Sequence, residues 1–296
     1  ALDKGELREV LKGIAAGVLA ELSPERCVAR VARVERKGLR VGPYRYDLGR
    51  FRRVLVVGFG KASARMARGL EELLGDAIST GFVVTAEGCA VPTKIIEVVE
   101  AGHPIPDART LAASPRIWQL AKGAGEKDLL IVLVSGGGSA LFELPAPGLD
   151  LGDLARTTAL LLRSGATISE LNAVRKHISM VKGGRLAQAA QPARVLSLVL
   201  SDVPGDDIST VASGPTAPDP STFAQAVAVL KTKGLWEEAP ARVRAHLLAG
   251  MHGDVPETPK PGDPCFGRTR HVLIGSGTTA LAIAHRLGRG AGFRTM

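Results

Sequence analysis

The sequence predicts an α/β fold with a mostly parallel sheet, and three observations support this prediction. Residues 129–134 are six consecutive apolar residues without alternation, which is typical of a strand buried on both faces of a parallel sheet. This stretch runs directly into three glycines flanked by serines, at residues 135–139. The same order, an apolar run followed by small residues and a helical stretch, recurs at residues 53–63 and 271–280. Strands that alternate with helices at this spacing indicate βαβ units with right-handed crossovers.

The elements can be assigned in chain order. Apolar positions at helical spacing predict a first helix over residues 2–22, and Ser23 followed by Pro24 predicts the capped start of a second helix. Residues 41–47 read as a connector. Further strands are predicted at 54–57, 81–85, 95–99, 129–134 and 195–200, and further helices at 61–74, 110–122, 151–162 and 169–181.

The composition changes after residue 250. Residues 254–264 contain four prolines in eleven residues, which is typical of a linker or a domain edge. The last stretch begins a new strand, turn and helix, and it ends at residues 292–296, where another strand would be expected to begin. We therefore expect one domain over residues 1–250, followed by a linker and the truncated start of a second, smaller α/β domain over residues 251–296.

Charge and composition limit the classes of partner. The formal net charge is +9, but Lys and Arg are spread along the chain and only two Trp and two Tyr are present to stack on bases. We therefore expect an anionic small substrate and no nucleic acid. No apolar run approaches the roughly 20 residues of a membrane span, and the N-terminus lacks the features of a signal peptide, so we expect a cytoplasmic protein with no membrane partner. Cys27, Cys89 and Cys265 lie too far apart to indicate a zinc site or a disulfide framework.

The turn after the first predicted strand contains a lysine among glycines. Gly58, Gly60 and Ser63 partly match the dinucleotide fingerprint GxGxxG, but a suitable acidic residue about 20 positions later is missing. An ammonium group at Lys61 would suit a phosphoryl group or a carboxylate better than a dinucleotide. The alternative is a solvated lysine in the first turn of a helix, where the helix dipole disfavours a positive charge. No Walker A sequence is present, so any use of ATP requires another geometry.

Acidic residues follow the predicted strand at 195–200. Asp202, Asp206 and Asp207 are well placed to hold Mg²⁺ through one or two carboxylates and water, although aspartates in turns also serve as caps. The small-residue loop at Ser213 and Gly214 predicts a second backbone cradle for an anion.

The helix predicted at 169–181 carries a polar face. Asn172, Arg175 and Lys176 lie on one side of this helix by their spacing of three and four residues. Such a face is often only solvated, but this helix lies between two glycine-rich loops, so contact with an anion is an equally open alternative. His103, in a proline-rich loop, reads as structural more readily than as catalytic.

Taken in order, the motifs VVGFGKAS, EAGHPIPD, LVSGGGSALFELPAPG, SGATISELNAVRKHIS and LSDVPGDD resemble the class II glycerate 2-kinases, a family whose members carry a C-terminal MOFRL domain. The resemblance covers nearly the whole chain. It implies a Rossmann-like three-layer α/β/α first domain and a smaller α/β second domain. It also implies phosphorylation of D-glycerate at the 2-hydroxyl, with ATP and Mg²⁺, to give 2-phosphoglycerate and ADP. Some relatives are labelled hydroxypyruvate reductase, so an NAD(P)H-dependent reductase is the alternative, and a catalytically incomplete ligand-binding fragment is another.

The resemblance also implies roles for individual residues. Lys61 matches the family lysine that acts on the transferred phosphoryl group, and Asp202 is a second catalytic candidate. A homodimer stays an open alternative. Family members usually continue past residue 296, and their MOFRL domain contributes an arginine with no counterpart here. The residues expected to bind nucleotide or substrate are Gly58, Gly60, Ser135, Gly136, Gly137, Gly138, Ser139, Asn172, Arg175, Lys176, Ser213 and Gly214, and those expected to bind metal are Asp202, Asp206 and Asp207.

Overall fold

The computed structural model describes residues 3–36 and 38–294. The strands are β1 (Ala32–Glu35), β2 (Gly38–Val41), β3 (Tyr44–Asp47), β4 (Arg53–Phe59), β5 (Thr80–Ala86), β6 (Ile96–Ala101), β7 (Asp128–Ser135), β8 (Arg194–Leu200) and β9 (Thr269–Gly275). The helices are α1 (Lys4–Glu21), α2 (Pro24–Val31), α3 (Ser63–Leu74), α4 (Ala108–Lys122), α5 (Gly138–Leu141), α6 (Leu151–Arg163), α7 (Ile168–His177), α8 (Arg185–Ala189), α9 (Phe223–Thr232), α10 (Ala241–His252) and α11 (Gly277–Gly290).

Six of the strands form one parallel sheet in the order β6-β5-β4-β7-β8-β9. Counted along the chain within this sheet, the order is 3-2-1-4-5-6, which is that of a doubly wound α/β sheet. Every residue of β7 is buried, as expected for a central strand with helices on both faces. The predicted α/β fold class is confirmed. The strand order reverses between β4 and β7, and such a reversal opens a crevice at the carboxyl ends of the strands.

Alternate residues of each strand belong to different hydrophobic cores. Leu55 and Val57 of β4 pack in the core on the side of α4 and α8, whereas Val54 and Val56 pack in the core on the side of α2 and α3. A third core joins α6, α7, α9 and α10, which lie outside the sheet. This helical cluster stands beside the crevice because its helices are inserted after β7 and β8.

The predicted boundary at residue 250 does not coincide with a boundary of the sheet. The strand β9 pairs in parallel with β8, so residues of the expected second domain complete the sheet of the first. Val272 and Ile274 of β9 are buried in the core that contains α2, and this burial accounts for the placement. Of the expected strand at 292–296, residues 293 and 294 have no regular secondary structure and the last two lie outside the described residues.

The predicted connector at 41–47 is wrong, because these residues belong to the antiparallel sheet β1-β2-β3. Leu39, Val41 and Tyr46 are buried, and their alternation with polar residues was the signal for strands. The predicted cap of α2 is confirmed, since Ser23 Oγ accepts a hydrogen bond from Arg26 N. The predicted helix at 2–22 is observed over α1, and its first residue lies outside the described part of the chain. Among the described helices, none has both the length and the apolarity needed to span a lipid bilayer.

Candidate active site

Two glycine-bearing turns at the carboxyl edge of the sheet are locked together. Gly60 has a φ of +123°, and a Cβ at this position would collide with the hydroxyl and carbonyl of Ser135. Lys61 N donates to the carbonyl of Gly136 at 2.9 Å, and Ala62 N donates to Ser135 Oγ at 3.1 Å. The amides after Gly60 are therefore satisfied by the neighbouring turn. A dinucleotide pyrophosphate would need the same space and the same donors.

Lys61, His103 and Asp202 surround the backbone of Gly136 and Gly137. A Cβ on Gly136 would overlap the Asp202 carboxylate. Gly137 has a φ of +82°, and a Cβ there would lie 2.8 Å from His103 Cδ2 and 3.2 Å from Lys61 Cγ. A side chain at Gly136 would displace the Asp202 carboxylate, and the positive φ of Gly137 also disfavours a side chain there. The exposed Lys61 and Asp202 thus meet at one point, although they are 141 positions apart in the sequence.

The environment of His103 favours its uncharged form. Burial lowers the pKa of His103 below its ordinary value, the nearby Lys61 charge lowers it further, and Asp202 opposes these effects. His103 is therefore a neutral imidazole near pH 7, next to a lysine and a carboxylate.

A chain of hydrogen bonds ends in an unsatisfied donor beside the glycine-rich loop. Ser139 Oγ lies 2.8 Å from Ser213 Oγ, and Ser213 Oγ donates to Asn172 Oδ1 at 2.9 Å. Asn172 Nδ2 is buried and has no hydrogen-bond partner within the described residues. Buried donors nearly always have an acceptor, so this amide is suited to an oxygen atom of a ligand.

A cavity of about 500 Å³ opens next to Gly137 and Ser139. Its polar end contains Arg175 and Glu143, and its other walls come from α6 and from the loop after His103. Arg175 is mostly buried, and its Nε donates to Thr158 Oγ1 at 3.4 Å. The cavity is lined by His103, Pro104, Ile105, Pro106, Gly137, Ser139, Ala140, Glu143, Leu154, Ala155, Thr158, Ala159, Leu162 and Arg175.

Glu143 is paired beneath this cavity with a buried lysine. Lys182 Nζ lies 2.8 Å from Glu143 Oε2, with side-chain exposures of 1% and 6%, and it donates to the Phe142 carbonyl at 2.9 Å. Ser179 Oγ donates to Glu143 Oε1 at 2.5 Å. Burial lowers the pKa of Lys182, and the charge and hydrogen bond of Glu143 oppose that shift. The cavity floor is thus a satisfied polar network, which leaves the Arg175 guanidinium as its cation.

Lys176 does not point to a free anion site. Its Nζ is buried and lies 3.2 Å from Asp219 Oδ1, which also accepts hydrogen bonds from Ser221. The three residues predicted to share a helix face, Asn172, Arg175 and Lys176, therefore have different surroundings. Asn172 and Arg175 lie at the crevice, whereas the charge of Lys176 is neutralised by a partner 43 positions later in the chain.

The three predicted metal ligands are not equivalent. Asp202 is exposed at the crevice, and Asp206 is half-buried with a φ of +55°. Asp207 accepts hydrogen bonds from Ser209 N and from the hydroxyls of Ser209 and Thr210, so it caps the following turn. No group of three His, Cys, Asp or Glu residues that could hold a metal occurs in residues 3–36 and 38–294. Asp202 nevertheless fits Mg²⁺, because this ion commonly takes one or two carboxylates together with phosphate oxygens and water.

Three of the glycines predicted to bind ligand are also closely packed against neighbouring residues. A Cβ on Gly58 would lie 2.9 Å from Leu133 Cβ, one on Gly138 would lie 2.7 Å from Ala212 Cβ, and one on Gly214 would lie 2.6 Å from the Ser209 carbonyl. These positions require glycine because other residues of the protein pack closely against the backbone there. The crevice also contains His103, which the sequence suggested to be structural, and Glu143, which the sequence analysis did not single out. His103 follows the carboxyl end of β6, and this position was a usable signal for the crevice.

The fold and the site together define a parallel α/β protein with a cation-bearing ligand crevice at the carboxyl edge of its sheet. A family model described as "Domain of unknown function (DUF4147)" matches residues 10–248, and the chain belongs to this family. The predicted resemblance to the class II glycerate kinases is confirmed by relatives that carry that name. The "Glycerate 2-kinase" of Pyrococcus horikoshii is 38% identical over 289 residues, which are 98% of this chain and 64% of the relative.

Other relatives and solved structures agree with this assignment. The "D-glycerate 2-kinase" of Thermotoga maritima is 46% identical over 209 residues, which are 70% of this chain and 48% of that protein. A relative in Agrobacterium vitis, 45% identical over 80% of this chain and 52% of its own length, carries the provisional name of a hydroxypyruvate reductase. A crystal structure of a Pyrococcus horikoshii protein matches with a TM-score of 0.86 at 38% identity, over 99% of this chain and 65% of that one. The crystal structure of a Thermotoga maritima glycerate kinase matches with a TM-score of 0.81 at 37% identity, over 97% of this chain and 63% of that one. The chain thus spans about half to two thirds of the length of these proteins.

Proposed function

We propose that the crevice phosphorylates D-glycerate at its 2-hydroxyl, using ATP and Mg²⁺ and giving 2-phosphoglycerate and ADP. The observation that carries this proposal is that Asp202 and Lys61 lie against two adjacent glycines, Gly136 and Gly137. A cation, a carboxylate and exposed backbone in one place are the groups that phosphoryl transfer requires, because its catalysis is mostly positioning and charge neutralisation. The names of the relatives support the same substrate.

Each residue has a role that follows from its surroundings. The Lys61 ammonium offsets negative charge on the oxygens of the transferring phosphoryl group. Asp202 is the carboxylate that would hold Mg²⁺, which would supply further neutralisation of phosphate charge. The neutral imidazole of His103 can accept the proton of the attacking hydroxyl. The half-buried Arg175 in the cavity wall, together with the unpaired amide of Asn172 beside the glycine-rich loop, suits the carboxylate of glycerate.

The interlocked turns argue against the reductase alternative. The Lys61 and Ala62 amides already donate to Gly136 and Ser135, and Gly60 is covered by Ser135. A nicotinamide dinucleotide would have to displace this contact to reach the start of α3. We therefore expect no NADH oxidation above background with hydroxypyruvate.

A cytoplasmic location belongs to the same proposal. The cysteines Cys27, Cys89 and Cys265 are free, which fits a reducing compartment.

The Lys61→Met variant tests the mechanism. We expect kcat for glycerate-dependent ADP release to fall by at least about 10²-fold, the scale of one lost electrostatic contact to a developing charge. The matched control is Lys122→Met, which removes an exposed lysine at the end of α4. An unchanged kcat in Lys61→Met would contradict the assigned role. ATP binding without any turnover by the parent chain would contradict the kinase proposal and would favour a ligand-binding fragment.

A further inference from the structure

A second concave site lies at the opposite edge of the sheet. It has a volume of about 270 Å³ and is formed by strand β3 together with the amino ends of β8 and β9. It lies about 20 Å from the crevice along β8, because six steps of a strand at about 3.3 Å each separate the two ends. We call it the arginine cleft, and it is lined by Tyr44, Arg45, Tyr46, Arg194, Gly267, Arg268 and Arg270.

The charges of the arginine cleft are only partly compensated. Arg45 and Arg194 are exposed, and neither guanidinium has a hydrogen bond or an ion pair within residues 3–36 and 38–294. Arg268 is paired at its rim, where Nη2 lies 2.8 Å from Glu126 Oε1. No carboxylate is found among the described lining residues. Three of the four guanidinium groups that line this concavity therefore have no carboxylate partner in the described residues, and their combined positive potential attracts an anion.

The remaining arginine is held by the walls of the cleft. Arg270 donates to the carbonyls of Gly267 and Thr269 at 3.1 and 2.8 Å, and its guanidinium carbon lies 5.9 Å from the centre of the Tyr44 ring. These contacts use backbone oxygens and an aromatic face, so they orient the guanidinium without neutralising its charge.

A buried hydroxyl gives independent evidence of a ligand. Tyr46 is 7% exposed and lines the arginine cleft, yet its hydroxyl has no hydrogen-bond partner within the described residues. Burial raises the pKa of Tyr46 to about 12, so this hydroxyl stays protonated and needs an acceptor. An unsatisfied buried donor is rare in native proteins, and the charges of Arg270 and Arg194 act on this hydroxyl, so it lies unpaired at the inner wall of the arginine cleft.

We propose that the arginine cleft binds a small phosphate-bearing molecule, at a site separate from the crevice. Guanidinium groups bind phosphate oxygens in a bidentate manner, and a tyrosine hydroxyl adds one more donor. The volume of about 270 Å³ suits one or two phosphate groups. A nucleic acid is the less favoured ligand, since its complexes usually bury at least about 600 Å² of protein surface.

Isothermal titration calorimetry with inorganic pyrophosphate tests the proposal. All titrations use one Lys61→Met background, so that any pyrophosphate binding that remains in the crevice is the same in every sample and only the difference between variants reports on the arginine cleft. We expect binding that the further double change Arg45→Ala and Arg194→Ala weakens at least about tenfold, because each lost charge-assisted contact is worth roughly tenfold or more. The matched control changes the exposed Arg26 and Arg289 to alanine, with the same change in net charge, and should leave the Kd unchanged.

The Tyr46→Phe variant provides the second measurement. It removes only the hydroxyl, so we expect weaker pyrophosphate binding together with a melting temperature, without ligand, that is unchanged or higher. Titration with ADP shows whether the arginine cleft recognises phosphate groups alone or a whole nucleotide. An equal Kd for ADP and pyrophosphate indicates recognition of phosphate alone, whereas tighter binding of ADP indicates a nucleotide.

Three results would overturn the proposal. They are the absence of pyrophosphate binding, equal weakening in the Arg26 and Arg289 control, and binding of a single-stranded oligonucleotide at the arginine cleft without binding of pyrophosphate. Because none of the substituted residues of the arginine cleft lies in the crevice, none of these results bears on the proposed kinase activity.

Discussion

The Glu143→Gln variant tests whether the buried pair beneath the cavity contributes to stability as a charge pair. Glutamine keeps the shape of the side chain and an oxygen that can accept from Ser179, so the main loss is one negative charge. Lys182 would then be a fully buried ammonium with no carboxylate, and only the Phe142 carbonyl would remain as an acceptor.

The size of the effect follows from this burial. Removing one partner of a buried ion pair lowers the free energy of unfolding by about 3–5 kcal/mol, because the remaining charge is buried without a countercharge. For a chain of 296 residues, that loss corresponds to a melting temperature lower by roughly 5–8 °C. The exposed Glu72 offers a matched control, and Glu72→Gln should change the melting temperature by less than about 2 °C.

The pH dependence separates a charge effect from a packing effect. The folded-state pKa of Lys182 lies below its ordinary value, so keeping this lysine charged lowers the free energy of unfolding. This destabilisation disappears as the pH rises, because the lysine loses its proton. Without Glu143, which raises the pKa of Lys182, the cost should be larger at pH 7 and should shrink as the pH rises toward 10.5, the ordinary pKa of lysine. The double variant Glu143→Gln and Lys182→Met should recover much of the lost stability, because no unpaired charge is left.

The assay is thermal and urea unfolding of the four proteins at several pH values. Equal stability of Glu143→Gln and the parent chain at pH 7 would refute the assignment of a buried charge pair. A loss that does not depend on pH and is not relieved in the double variant would also refute it, since it would indicate a packing defect.

Two further predictions concern the crevice and the amino edge of the sheet. Gly136→Ala places a Cβ against the Asp202 carboxylate, which is the end of an exposed side chain and can move. We expect kcat to fall about 10²-fold, while the melting temperature stays within about 2 °C of that of the control Gly13→Ala. Equal kcat values of the two variants in steady-state assays would contradict the placement of Asp202. The hydrogen bond from Arg53 lowers the pKa of Asp128 to about 2, although burial acts in the opposite direction. The ionised Asp128 therefore stabilises the fold above pH 3.8, its ordinary pKa, and this contribution is lost as the pH falls from 3.8 toward 2. The parent chain should therefore lose more stability than Asp128→Asn between about pH 4 and pH 2 in urea unfolding, and parallel losses would contradict this.

The sequence alone determined the fold class and the location of the crevice. Six apolar residues before the glycines of 135–139 are sufficient to predict a central parallel strand, because only a strand covered on both faces is uniformly apolar. Parallel strands end at one edge of a sheet, so the turns containing Lys61, Gly137 and Asp202 could be placed together without coordinates. These are local signals, read from a few adjacent residues.

Only the tertiary structure decided which polar residues remain free to act. Lys176 and Arg175 are adjacent in sequence, yet Asp219 neutralises the first and no carboxylate pairs with the second in the described residues. Likewise, Asp207 caps its own turn whereas Asp202 lies against Gly136, and β9 joins the main sheet across the proline-rich segment. The physical reason is that the charge and hydrogen bonding of a side chain depend on partners far away in the sequence, and no local pattern specifies those partners.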